Sequence, residues 1–450
     1  MSDICTIKKS TLDGIAEAIQ SKTGESGRML PSEMRGKIES IGNKWLRPKD
    51  WPQYTDDMLE NFEGVYWTVD NTTPVPRVPF TVSSSNGVTV EYGNIVNGEF
   101  VRQGEADTIN KGNEILNTRE FTPNDFEGDT FVCRVTPKEN SHITQIGFHY
   151  NRGNVYQTSG AATGYYAPIL ETFASLPNAP LNRLVRLAVT PTVAVTLSSL
   201  DSATTFNSLV SGCKALKSFR LLNTDTSEIN DMSEIFDGCL NLTDIEMPNF
   251  STESATNMQY MFRNCYSLQD VELSGFDTGN VTNMQGMFES CSSLRHIDVS
   301  GFDTRKVTNM RRMFGYTALS ELDLSSFGFG SVTNLTEFAP NQLLVSIKFA
   351  DEAEHTAHGK SWTSSNDTSV NTGQPLDWSL NLRNIVSFPH LGYSLNLNHC
   401  PQLTVDSIIT VFEALQTVSE TKTITIGNTH ISKLTAEQIA IATDKGWTVA

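Results

Sequence analysis

Two sets of side chains recur at spacings that bear on chemistry. Cysteines occur 26 residues apart, at Cys213, Cys239, Cys265 and Cys291. Acidic side chains and one histidine alternate with apolar residues in four short segments: Asp244, Glu246, Asp270, Glu272, His296, Asp298, Glu321 and Asp323. Thiols can bind soft metals, and carboxylates can bind Ca²⁺ or accept hydrogen bonds from sugar hydroxyls. What either set can do depends on the elements that position it.

The cysteines belong to a longer repeated phrase. It reads Met-Phe-x-x-Cys-x-x-Leu, then Phe-Asp-Thr-x-x-Val-Thr-Asn-Met, and it is nearly complete in residues 261–284 and 287–310. A strict period of this length indicates a solenoid of stacked turns. Each unit contains a strand pattern of the form Leu-x-x-Ile-x-Leu, which begins at Leu216, Leu242, Leu268, Leu294 and Leu319. The last pattern is shifted by one residue, so Thr317 or Ala318 replaces the cysteine there.

Alignment of the units places the cysteines in one column of the narrow interior. We interpret this column as small buried apolar side chains, because no Cys-x-x-Cys pair occurs and no histidine or carboxylate shares the cysteine phrase. The sequence therefore predicts no metal site, no disulfide framework and no cofactor. A second column contains asparagines, each preceded by a threonine, and is predicted to satisfy backbone groups at every turn: Asn257, Asn283, Asn309 and Asn334.

The acidic residues lie between the apolar positions of the strand pattern. Because side chains alternate in a strand, the eight residues are predicted to face outward in one column, which we call the acidic stripe. Stacked like charges destabilise a sheet, so this column invites an explanation. One interpretation is a solvated face that keeps the protein soluble. The other is a recognition surface that meets sugar hydroxyls, a basic partner or Ca²⁺.

Three further segments flank the repeats. Residues 1-44 show two short helix patterns, too small for a core of their own, and predict a helical segment that docks elsewhere. Residues 45-160 alternate as short strands between turn residues, which predicts an antiparallel β-sandwich. The solenoid is expected over 165-350. Residues 351-450 predict a polar loop, irregular repeats and a C-terminal cap.

The fold class that follows is multidomain and mainly β with short helices. An N-terminal helical segment precedes a β-sandwich, and a leucine-rich-repeat-like solenoid with a C-terminal cap completes the chain. Within the cap, one helix is expected near residues 405–415. Another is expected after a capping box formed by Thr435 and Gln438.

Composition excludes several function classes. A net charge of -18 over 450 residues disfavours nucleic acid as a partner. No apolar run approaches the ~20 residues of a membrane span, so membrane insertion is not expected. The first residues lack a secretory signal pattern, so we expect no export by that route. Hydrolase, metalloprotease and phosphate-loop motifs do not occur, which predicts a protein that is not an enzyme.

The repeat resembles the 26-residue leucine-rich-like repeat of bacterial surface proteins called BspA-like, over about residues 200–340. Those proteins are typically adhesins. The ends resemble bacteriophage tail and tail-fibre proteins instead, through residues 11–19, the Leu30-Pro31 segment, the 45–51 junction and residues 433–447. The resemblance implies a virion structural protein, made in the host cytoplasm and located on the tail or another external appendage.

The same resemblance implies partners. Residues 1-44 are expected to attach to other tail or neck proteins, and the repeats are expected to meet a glycan or protein of the host surface. A homo-oligomer is compatible with this assignment. Two alternatives remain, namely a bacterial surface adhesin or interaction protein and a glycan-degrading tailspike.

Overall fold

The fold is mainly β, with few short helices and a β-solenoid of about eight turns. The computed structural model describes residues 63–70, 80–97, 99–109, 112–116, 130–141, 143–147, 169–175, 192–200, 203, 205–329, 331–335, 337–339, 341, 343–349, 382–386, 395–398, 400–419 and 421–450. The helical segment expected over 1-44 and the polar loop expected after residue 350 therefore lie outside the described residues.

Strands with antiparallel pairing form the region before the repeats. They are β1 Gly64–Asp70, β2 Phe80–Ser84, β3 Val88–Val96, β4 Glu99–Arg102, β5 Asp107–Ile109, β6 Gly112–Leu116, β7 Thr130–Pro137, β8 Ile143–Gly147 and β9 Ile169–Ser175. β7 lies between β1 and β3 in one sheet, and β2 lies between β6 and β8 in another. Side chains along β3 alternate between inward and outward positions, and Val88 and Val90 point into the core that also contains Ile143 of β8. The strands expected in this region are confirmed.

β9 connects this region to the solenoid. It pairs antiparallel with β1 and parallel with β10 Ala194–Ser198. β10 continues in parallel to β11 Ser218–Leu222 and then to β12 Asp244–Glu246. One continuous sheet therefore joins the antiparallel strands to the first solenoid turns, a continuity that the strand patterns did not predict.

The strand side of the solenoid is interrupted after β12. The strands expected at 268–273 and 294–299 are not strands in the structure. Strand pairing resumes with β13 Glu321–Leu324, β14 Ser346–Phe349 and β15 Asn384–Ile385, which form a parallel sheet. The expectation that every repeat contributes a paired strand on this side was therefore wrong for two turns.

The middle turns are joined instead through the segment that contains the asparagine column. Parallel bridges connect Asp231, Asn257, Asn283, Asn309 and Asn334 in order. Four backbone hydrogen bonds of 2.8–3.0 Å join two of these turns, with an N–H of one turn donating to a carbonyl of the next. They run from Met258 to Asn283, from Tyr260 to Gln285, from Phe262 to Met287 and from Asn264 to Glu289. This ladder satisfies the backbone of each turn with its neighbour and keeps the turns in register.

Two registers of this segment have left-handed backbone geometry, one at Tyr260 and the other at Gly238, Asn264 and Ser290 in successive turns. Tyr260, Asn264 and Ser290 have φ values of 57°, 61° and 64°, and Gly238 has a φ of 75°. L-residues with a side chain adopt this conformation at a cost of roughly 1–2 kcal/mol each. The hydrogen bonds between turns offset that cost.

Phenylalanine and cysteine columns fill the interior. The rings of Phe262 and Phe288 stack with centroids 5.5 Å apart and planes 3° from parallel. The cysteines of the repeat are buried free thiols, as predicted. Their Sγ atoms also donate hydrogen bonds, for example from Cys265 to the Phe236 carbonyl at 3.2 Å. Thr317 takes the cysteine position of the shortened unit, and its Oγ1 donates to the Phe314 carbonyl at 3.1 Å.

The C-terminal region contains both short strands and helices. β16 Leu395–Asn396, β17 Lys422–Thr425 and β18 Trp447–Val449 form a parallel sheet beside α1 Val405–Ala414, α2 Asn428–Ile431 and α3 Ala436–Thr443. The expected helix at 405–415 and the capping box of Thr435 and Gln438 are confirmed. In the part of the chain that the structure describes, no helix is long and apolar enough to cross a membrane.

Candidate recognition surface

The acidic stripe follows the outward positions of the strand side. Asp244 is half-buried and the other seven stripe residues are exposed. In β13, Glu321 and Asp323 point outward while Leu322 and Leu324 are buried. The same alternation holds around Val271, which is buried although its segment is not a strand. The predicted outward orientation therefore holds, but paired strands support it only at the two ends of the stripe.

Cations from neighbouring turns lie at both ends of the stripe. Arg220 Nε is 2.7 Å from Glu246 Oε2, and Lys348 Nζ is 3.1 Å from Asp323 Oδ2. Both pairs are exposed to solvent, so each contributes ~1 kcal/mol or less. These cations link adjacent turns and reduce the repulsion between stacked carboxylates.

Backbone amides occupy one oxygen of several stripe carboxylates. The N–H of Ser274 donates to Glu272 Oε1 at 3.0 Å, and the N–H of Ser300 donates to Asp298 Oδ1 at 2.9 Å. Ser325 donates in the same way to Asp323 Oδ1 at 2.9 Å. These bonds fix the turn that follows each strand segment. The stripe therefore has a structural role, which accounts for part of its regularity.

Asp323 has the clearest electrostatic signature in the stripe. Partial burial acts to raise the pKa of its carboxyl, but the hydrogen bonds from Ser325 and the ammonium of Lys348 outweigh it, so the pKa lies below its ordinary value. Asp323 is thus an anion at neutral pH and an acceptor for a hydrogen-bond donor. Within the described residues, no group of three or more histidines, cysteines or carboxylates is arranged to hold a metal ion.

The asparagine column has the role that the sequence predicted. Asn283 Oδ1 accepts from the N–H of Gln285 at 3.1 Å. Asn283 Nδ2 donates to Gln259 Oε1 of the preceding turn at 3.0 Å. A half-buried amide of this kind closes a local turn and contacts the preceding unit.

Sequence reasoning missed a column of buried threonines. They come from the Phe-Asp-Thr phrase and its variants: Thr226, Thr252, Thr278 and Thr304. Thr278 Oγ1 donates to the Asp303 carbonyl at 3.0 Å and accepts from the Asp303 N–H at 2.7 Å. The recurrence of threonine at one register was the available signal. It marks a hydroxyl that joins two turns, not a binding residue.

Comparison with known proteins gives one match in the repeats. Residues 204–327 match a protein family described as "Mycoplasma protein of unknown function, DUF285". No curated protein matches the chain, and no solved structure matches it. The matched residues include the whole acidic stripe, and the family description assigns them no activity.

Proposed function

We propose that the chain is a structural protein of a bacteriophage particle, a tail fibre or a related appendage that recognises the host surface through its solenoid. The observation that carries this proposal is a stack of turns with a long row of exposed hydrogen-bonding side chains. Such a row suits an extended surface ligand, since solenoids offer continuous binding faces. The resemblance of the sequence ends to phage tail proteins supports a virion location for this surface.

The proposed architecture assigns one task to each segment. Residues 1-44 attach to other tail or neck proteins, and residues 45-160 form a sandwich-like spacer. The solenoid is of the leucine-rich-repeat kind and contacts a host glycan or protein, while residues 351-450 close its end. The sheet shared by β1, β9 and β10 supports this arrangement, because it couples the spacer directly to the repeats.

A bacterial surface adhesin is the second candidate, and the BspA-like repeat favours it. Both functions use the solenoid to bind a surface, and they differ only in where the protein resides.

A glycan-degrading tailspike requires two carboxylates placed ~5–10 Å apart around one scissile bond. The stripe carboxylates recur in a regular exposed row, so we propose a binding protein that is not an enzyme. Release of reducing sugars from host polysaccharide is the measurement that would contradict this.

A substitution experiment tests the role of the stripe. The double variant Glu272→Ala and Asp298→Ala removes two exposed carboxylates from its middle. The control variant Glu228→Ala and Glu253→Ala removes the same charge from exposed positions outside the stripe. If the stripe contacts the host, particles carrying the first variant adsorb to cells more slowly than particles carrying the control. Equal adsorption by the two variants would remove the stripe from the recognition surface.

A further inference from the structure

Tyrosines of the repeats concentrate on one side of the solenoid. Residues 205–349 contain Tyr260, Tyr266 and Tyr316 and no other tyrosine. All three lie in or beside the segment that leads from the asparagine column to the cysteine column. Tyr266 is 45% exposed and Tyr316 is 49% exposed, two turns further along. With a spacing of ~4.8 Å per turn, the two exposed rings lie ~10 Å apart along the solenoid axis.

Polar side chains around Tyr260 are held in place by neighbouring turns. The Arg263 guanidinium lies 3.8 Å from the centre of the Tyr260 ring. Arg263 also donates to both carboxylate oxygens of Asp237, at 2.8 and 2.6 Å. Gln285 donates to the Tyr260 hydroxyl and accepts from Asn309 Nδ2 at 2.8 Å. These side chains are preorganised, so a ligand would order few of them on binding.

The position of the Tyr260 ring depends on a glycine in the next turn. Gly286 occupies the register of Tyr260 and shares its left-handed backbone. A Cβ at Gly286 would lie 2.6 Å from the Tyr260 ring, a separation that real Cβ atoms do not show. Glycine therefore leaves the space in which the ring lies across the neighbouring turn.

Charges on this side are compensated between turns. Asp237 binds Arg263, while Glu289 and Glu337 both bind Arg312. The strong fork between Arg263 and Asp237 raises the pKa of Arg263, so the guanidinium stays charged and paired. What this side offers a ligand is thus aromatic rings and fixed hydrogen-bonding groups, with little net charge.

We infer that this side of the solenoid binds an uncharged polysaccharide. We call it the tyrosine face, and it comprises Tyr260, Arg263, Tyr266, Gln285, Arg312 and Tyr316. The inference rests on the proposed function and names the class of ligand that the repeats take. A sugar ring has an apolar face that packs on an aromatic ring and a rim of hydroxyls that bond to planar polar side chains.

A protein partner fits this face less well. Protein interfaces have a contiguous apolar core, whereas here the exposed apolar surface consists of two separate rings. A polyanion would require cations without carboxylate partners, and Arg263 and Arg312 are both paired. Sugar binding uses the separate rings and the compensated polar groups as they stand.

The experiment uses the full chain on a panel of immobilised polysaccharides, with uncharged bacterial glycans and dextrans as probes and dextran sulfate as the anionic comparison. The test variant Tyr266→Ser and Tyr316→Ser copies Ser292 and Ser290, which occupy the same registers in the fourth cysteine-containing unit. The control variant Glu228→Gln and Glu253→Gln alters exposed positions outside both the acidic stripe and the tyrosine face. Urea unfolding of both variants checks that the fold is retained.

Retention of the wild-type chain by at least one uncharged glycan is expected, with little change when salt is added. The tyrosine variant should bind about tenfold more weakly or worse, and the control variant should bind as the wild type does. The inference is overturned if no uncharged glycan retains the chain, if the tyrosine variant binds equally well, or if only dextran sulfate binds and salt abolishes it. Presence of the chain in virions is a separate result, so the glycan inference and the proposed function can fail independently.

Discussion

Removal of the Thr278 hydroxyl tests how the solenoid is held together. In Thr278→Val the side chain keeps its shape and β-branching, so backbone preference and packing change little. The substitution removes two hydrogen bonds to the next turn, at 3.0 Å to the Asp303 carbonyl and at 2.7 Å from the Asp303 N–H. Both backbone groups of Asp303 then lose their partner beside the buried Thr278 side chain.

The expected loss follows from those two groups. An unpartnered buried backbone group costs roughly 1–3 kcal/mol, and Asp303 is only half-buried, so water can recover part of this. We expect Thr278→Val to lower the free energy of unfolding by about 2–3 kcal/mol. Thr282→Val is the matched control, because Thr282 is exposed and the Thr256 carbonyl keeps the Thr282 N–H at 2.9 Å. The control should lose less than about 1 kcal/mol.

Urea unfolding followed by circular dichroism measures both variants in the same chain. The midpoint of the Thr278 variant should fall clearly below that of the Thr282 variant, whose midpoint should stay near the wild-type value. Equal shifts in the two variants would mean that the buried threonine column does not join the turns.

Three other predictions concern the same stack. Gly238 has a left-handed backbone and room for a Cβ, so Gly238→Ala should lower the free energy of unfolding by about 1–2 kcal/mol. Ser290 occupies the same register with a left-handed backbone, so Ser290→Gly should raise the free energy of unfolding by up to about 1 kcal/mol. Urea unfolding measures both variants. Burial raises the pKa of the Cys291 thiol to about 12, so a thiol reagent at pH 8 should label Cys291 only as the chain unfolds. Rapid labelling of Cys291 in the folded protein would show that the cysteine column is not buried. The hydrogen bond from Arg305 holds the pKa of Asp303 at about 2, below its value in the unfolded chain. The pair therefore stabilises the fold above about pH 4, and this stabilisation is lost as the pH falls towards 2. Asp303→Asn should lower the melting temperature slightly at pH 7 and leave it unchanged at pH 2.

Repetition explains which parts of the fold the sequence predicted well. The 26-residue period aligned the cysteines and asparagines, and alignment alone identified which columns face inward. The helix beginning at Val405 was predictable for a different reason, since capping residues and apolar spacing are local signals. Both predictions rest on patterns that one segment carries by itself.

Other features depend on contacts between distant segments. The pairing of β9 with both β1 and β10 requires two parts of the chain to meet, and no local pattern specifies that meeting. The segments at 268–273 and 294–299 carry the full strand pattern, yet the hydrogen bonds between these turns run through the asparagine side. Apolar spacing predicts burial, and it does not predict which side of a turn carries the ladder.

The candidate site divides in the same way. Alternation predicted that the acidic stripe faces outward, because side-chain direction follows from spacing. The tyrosine face was not predicted, because Tyr260 and Tyr316 lie on left-handed residues of different turns, and no regular period connects them. A cluster assembled from irregular positions becomes visible only once the turns are stacked.

Imaging of purified virions with antibodies against the solenoid tests the proposal that the chain is a recognition protein of a phage particle. We expect the antibodies to label the outer part of a tail fibre or other appendage and to block adsorption to host cells. Virions that lack the chain, with the protein found on bacterial cells instead, would contradict the claim and favour the adhesin.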